Sequence, residues 1–142
     1  MRATLTLLVT IAIIVGVATY YNPGVMDIVV RNRTTWGQLK PDVSRPFVAL
    51  MDCSLIGHKV WIWWVKERVF EGPFIVADCA ARKDIPALKR KRFAVDVEWR
   101  IARKHGMKGP VPVRVFVEKE ERPSRGLETH RLGLLVKEPM IR

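Results

Sequence analysis

The sequence is poor in cysteine, with two in 142 residues. That excludes a miniature fold built on disulfides and a zinc site with four cysteine ligands. It has no Gly-rich phosphate loop, no HExxH pair and no GxSxG elbow. The common nucleotide-binding, zincin and α/β-hydrolase chemistries therefore have no signature here. His58, His105 and His130 stand apart in the chain without metal-ligand spacing, so neither a metal nor a cofactor is expected. A zinc site made from Cys53, Cys79 and one histidine has no support in that spacing. Negative charge is scarce as well: 14 Asp and Glu face 25 Lys and Arg, a net charge of +11. A surface this basic favours polyanions, whether a cell-wall polymer, an anionic lipid or a nucleic acid.

What remains is a globular composition, 49% hydrophobic and 27% charged, in a length suited to one domain. Charge is missing altogether from Ala3 to Met26. Arg2 precedes the apolar run from Leu5 to Val15, and Gly16-Val17-Ala18 offers a small-x-small site. The pattern is that of a secretory leader cut after Ala18, or of an anchor if the run continues uncleaved through Tyr21. The plainer alternative is a buried first strand, since Thr, Val and Ile favour strands. Export would allow Cys53 and Cys79 to form a disulfide; two buried free thiols are the other reading.

Beyond the leader, short apolar runs alternate with turn signals. Thr19-Tyr20-Tyr21 ends at Asn22-Pro23-Gly24. Strands are expected at Phe47–Met51, Val60–Val65, Val69-Phe70, Phe74–Ala77, Phe93–Val95 and Val111–Val117. The basic segment from Ala80 to Arg92 reads as a loop. One short helix is expected from Val97 to His105, with Val97, Ile101 and Ala102 as its apolar stripe and Gly106 at its C-cap. Residues 118–142 read as a charged tail. Val48–Ser54 and Phe74–Ala80 echo each other as an apolar strand followed by Asp-Cys-small, which suggests a pseudo-symmetric small barrel.

The order of these elements resembles the family of rare lipoprotein A and the expansins. Gly16-Val17-Ala18-Thr19-Tyr20-Tyr21 resembles that family's opening Gly-x-Ala-Ser-x-Tyr strand. Phe74–Cys79 resembles its strand ending in Asp, and Phe93-Ala94-Val95-Asp96-Val97 stands where it carries apolar-apolar-Asp-Leu-Ser. Ile101-Ala102, Gly106 and Pro110–Val113 follow in the expected order. The resemblance spans residues 16–117 and implies an all-β fold of small helical content, a six-stranded double-psi β-barrel with one short helix over residues 19–117. It also implies a peptidoglycan or other anionic cell-wall glycan as partner, and a secreted, periplasmic or membrane-anchored setting. In it Asp78 and Asp96 are the two acids of a groove. The chain departs from the pattern in three ways. Glu98 replaces the serine, the usual histidine is missing from a lengthened segment between the acids, and Arg82, Lys83 and Asp84 stand in that segment.

Cleavage of a glycan by such a barrel needs an acid to protonate the glycosidic oxygen and a second polar group to steady the developing cation. Asp96, after an apolar strand, is the candidate acid, as in a lytic transglycosylase; its plainer reading is the N-cap of the helix. Asp78 is the candidate partner, or else a turn residue bonded to its own backbone. Tyr20, Tyr21, Trp61 and Trp63 could stack on sugar rings, with Trp64 on the opposite strand face; Arg82 and Lys83 could grip anionic groups. The rival reading is a non-catalytic binding or structural module of a secreted or phage-like assembly, favoured by the missing serine and histidine. Nucleic acid rests on charge alone and is disfavoured.

Overall fold

A computed structural model describes residues 8–121. Its contacts separate a body, Ile11–Glu118, from a second unit drawn from the two chain ends. Of that second unit the described residues, 8–10 and 119–121, are strand.

Runs of β-branched and aromatic residues form six strands: β1 (Leu8–Tyr20), β2 (Phe47–Leu50), β3 (Lys59–Trp64), β4 (Val69–Cys79), β5 (Phe93–Val97) and β6 (Val111–Glu121). They close into a barrel in the order β1-β5-β2-β4-β3-β6. β1 pairs with β5 and β2 with β4 in parallel, whereas β2–β5, β3–β4 and β3–β6 are antiparallel. Exchanging β1 with β4, β2 with β5 and β3 with β6 returns the same ring of neighbours. The Asp-Cys echo falls on β2 and β4, which are parallel neighbours in the sheet and not partners under that exchange. Cys53 and Cys79 are bonded to each other, tying the chain just after β2 to the end of β4.

The apolar run read as a leader enters β1 at Leu8; residues 1–7 lie outside the described residues. The strand expected to end at Val117 continues to Glu121, and the rest of the expected tail also lies outside them. Among the described residues no helix is long and apolar enough to cross a membrane.

Among the described residues there are three α-helices where one was expected: α1 (Val25–Thr35), α2 (Ile85–Arg90) and α3 (Trp99–Lys104). α3 starts two residues later than its apolar stripe suggested, because Val97 still belongs to β5 and Glu98 occupies the N-cap position. The segment read as a basic loop holds a 3-10 turn, Arg82–Asp84, and then α2. Pro86 falls in the first turn of α2, where a missing N–H costs nothing.

Two apolar clusters hold the body together. The barrel interior is filled from alternate strand positions, among them Val48, Leu50, Ile62, Trp64, Phe74, Val76, Val95 and Val97. A second cluster of Met26, Leu39, Phe47, Ile75 and Ala77, with Val29 and Val30 against it, packs α1 on the outside of β2 and β4.

Candidate functional site

Among the described strand pairs the register shifts in three, β1–β5, β2–β4 and β3–β4, and the first two shifts aim an acid. In the β2–β4 pair the register passes from Val48↔Val76 to Ala49↔Asp78, leaving Ala77 as an extra residue on β4. Ala77 packs in the outer cluster, and the bulge lets the next side chain, Asp78, stay on that outer side. In the β1–β5 pair the register passes from Val17↔Phe93 to Ala18↔Val95, leaving Ala94 extra. Ala94 and Val95 both face the interior, so Asp96 faces out.

The result is a row across four strands. Thr19 on β1 is opposite Asp96 on β5, Asp96 is opposite Ala49 on β2, and Ala49 is opposite Asp78 on β4. Residues opposite one another share a face, so both carboxylates lie on one side of the sheet. Their backbones are two strand spacings apart, roughly 10 Å.

The two acids have different surroundings. Asp78 is one-sixth exposed and doubly held: the Tyr21 hydroxyl donates to its Oδ2 at 2.6 Å and the Arg33 guanidinium to its Oδ1 at 2.6 Å. Arg33 arrives on the buried stripe of α1, one turn beyond Val29 and Val30, which follow Met26 by three and four residues. Arg33 also donates to Gln38 at 2.7 Å. Asp96 receives the Thr19 hydroxyl at 2.9 Å, and no cation pairs with it among the described residues. Burial lifts its carboxyl to about 6; the Asp78 charge adds to the rise, and the Thr19 hydrogen bond opposes it. The Tyr21 phenol is pushed well above its ordinary range, chiefly by burial and then by Asp78, so it stays a neutral donor.

The two carboxyl groups thus differ in their partners. Asp78 stands against a guanidinium, and Asp96 retains its proton into mildly acidic solution. Such a pair can deliver a proton from Asp96 while Asp78 supplies a fixed negative charge beside it. Neither of the plainer readings of the acids describes them. Asp96 does not cap α3, and Asp78 is held by side chains from β1's end and from α1, not by its own turn. Asp52, the matching acid of the echo, does cap: it accepts Ser54 N–H at 2.9 Å at the start of the 3-10 turn Cys53–Leu55.

The other expected residues scatter. Tyr20 packs against Trp99, ring centroids 5.6 Å apart, while Tyr21 joins the acids. Trp61 and Trp63 share the outer face of β3, and Trp64 is buried inside, as alternation requires. From Gly72, level with Trp61, to Asp78 is about 20 Å of strand, so the tryptophans do not reach the acids. Arg82 and Lys83 are exposed; Arg82 and Lys89 border a separate hollow of about 400 Å3 beside Cys53.

Sequence reasoning missed Thr19 and Arg33 at the acids. Arg33 had a readable signal, the spacing Met26, Val29, Val30, Arg33. Glu98 is 4% exposed, accepts the Phe47 N–H at 2.6 Å and pairs with Arg45 at 3.2 Å, with Arg45 also bonded to Asp27. It anchors the start of β2. His105 stacks on Trp64, centroids 3.8 Å apart, with Glu67 at 2.9 Å and Glu71 at 3.0 Å from its ring nitrogens. Among the described residues no cluster has the makings of a metal site.

A scan against protein-family models, a search of the curated proteins and a search of the solved structures each found no match to this chain.

Proposed function

We propose that this chain is a double-psi β-barrel, placed outside the cytoplasm, that binds peptidoglycan or a similar anionic wall glycan and cleaves it in the manner of a lytic transglycosylase. The strand order supports the barrel type, because it maps onto itself when the first and second halves of the chain are exchanged. The observation that carries the activity is the Asp78–Asp96 row, in which one carboxyl is fixed by Arg33 and the other keeps a proton up to about pH 6. In this reading Asp96 protonates the glycosidic oxygen. The sugar's own hydroxyl closes on the anomeric carbon as the glycosidic C–O bond breaks and gives its proton to the Asp96 carboxylate, which restores the acid, while Asp78, with Tyr21, steadies the positive charge that develops there.

A non-catalytic wall-binding module is the second reading. The engagement of both Asp78 oxygens by Tyr21 and Arg33 favours it, since a fully bonded carboxylate is a poor nucleophile or base.

Purified peptidoglycan incubated with the wild type and with Asp96→Asn distinguishes them, with soluble muropeptides separated by mass. Anhydro-ended products from the wild type, at least about 100-fold reduced in the variant, are the expected result. Retention on the wall with no new products would assign the chain to binding. Product formation unchanged in Asp96→Asn would remove Asp96 from the chemistry.

A further inference from the structure

We propose that the outer face centred on β6, with the adjoining parts of β1, β3 and β4, is a docking face for an anionic lipid surface. The observations come from β1, β3, β4 and β6 and do not depend on the chemistry of Asp78 and Asp96.

β1 is apolar on both faces. Ala12 and Ile14 pack against the interior, while Ile11, Ile13 and Val15 are 62%, 58% and 62% exposed. A strand with one wet face normally alternates apolar with polar, so an uncharged row like this marks a surface that something other than water covers. The neighbouring strands extend it with aromatic rings. Trp61 is opposite Phe116, and Trp63 is opposite both Arg114 and Phe70. Phe70 is 56% exposed and meets Phe116 edge-on at 5.6 Å. Trp61 lies across Gly72, where a side chain would collide with the indole, so this part of the sheet is broad and low.

The charges choose the occupant. Arg114 lies within the aromatic rows, and Lys66 and Arg68 are exposed at the tip of the β3–β4 turn. Of the nearby acids, Glu67 is paired with His105 and Glu71 with Lys104; the remaining acids of β6, Glu118, Glu120 and Glu121, fall in its last four residues, beyond the aromatic rows. A second copy docked face to face by a two-fold axis would bring these cations toward their own images. An anionic bilayer neutralises them, accepts the aliphatic row below its headgroups, and suits tryptophan at the headgroup level. β6 stands across the ring from β2, the strand between the two acids.

The test is co-sedimentation of the full chain with vesicles of mixed phosphatidylglycerol and phosphatidylcholine, and with vesicles of phosphatidylcholine alone. The mixed vesicles should bind at least about 10-fold more tightly. Ile13→Ser combined with Phe70→Ser should lose at least about 10-fold of that binding, because it removes two exposed apolar groups. Both residues lie outside the core, and an unchanged circular dichroism spectrum shows that the fold survives. Arg68→Ser should weaken binding, while Lys83→Ser, an equal loss of charge on the turn before α2, should not. Equal binding by the double variant and the wild type would overturn the proposal. So would a dimer in lipid-free buffer that the same double variant dissociates, since a second copy would then own the face.

Discussion

Asp96 combines two properties that a purely structural carboxylate would not keep together: it is largely buried, and no cation offsets its charge. Burial and Asp78 lift its carboxyl from 3.8 to about 6. The unfolded chain releases this proton at the ordinary value, so protonation favours the fold. The stabilisation is complete below about pH 3.8 and is lost as pH rises through about 6. At neutral pH the ionised group then costs the fold at most about 3 kcal/mol. Asp96→Asn, nearly isosteric and uncharged, should raise the melting temperature near neutral pH and leave it almost unchanged near pH 4, as followed by circular dichroism. A lower melting temperature at neutral pH would make the carboxylate a structural group. Asp78, unlike Asp96, is paired with a cation. Arg33→Ala strands a mostly buried carboxylate and should lower stability by about 1–3 kcal/mol in urea unfolding, with Arg33→Lys restoring part of the loss.

At the scale of elements, most strands were legible because Val, Ile, Trp and Phe runs ended in Asn-Pro-Gly or charged turns; Gly72-Pro73, read as a break between strands at Val69-Phe70 and Phe74–Ala77, instead lies inside the single strand β4, where the register with β3 shifts. The faces of β3 followed directly from alternation. The aim of Asp78 and Asp96 was not legible, because it depends on single extra residues at Ala77 and Ala94. A bulge leaves no mark in an apolar run, yet it moves every later side chain to the other face. α1 was hidden by its own composition: Val25, Ile28, Val29 and Val30 are strand formers, and burial of its Met26 stripe overrides their preference. Two elements can be tested separately. β1 approaches β5 so closely at Gly16 that an added Cβ would collide with the Arg92 carbonyl. Gly16→Ala should therefore cost about 2–4 kcal/mol and is checked by the same unfolding assay. The Cys53–Cys79 cross-link closes a separation of 26 residues, and its reduction should cost about 3 kcal/mol. An unfolding midpoint indifferent to reductant would contradict the link.

For the whole molecule, the ring of strands sorts its outside by chemistry. Acids held by Thr19, Tyr21 and Arg33 lie around β2, and aliphatic and aromatic rows with Arg114 among them lie around β6. The net charge of +11 overlies both and makes long-range attraction to an anionic polymer a property of the entire surface. Retention on isolated wall material should accordingly fall steeply as salt is raised, whether or not catalysis follows. The proposed chemistry requires the two carboxyls to belong to one site. The most direct measurement is the pH titration of the Asp96 side-chain carboxyl by carbon-13 NMR, in the wild type and in Asp78→Asn. A midpoint near 6 that moves down when Asp78 loses its charge is the result expected. A midpoint in the ordinary carboxylate range, indifferent to that substitution, would contradict it.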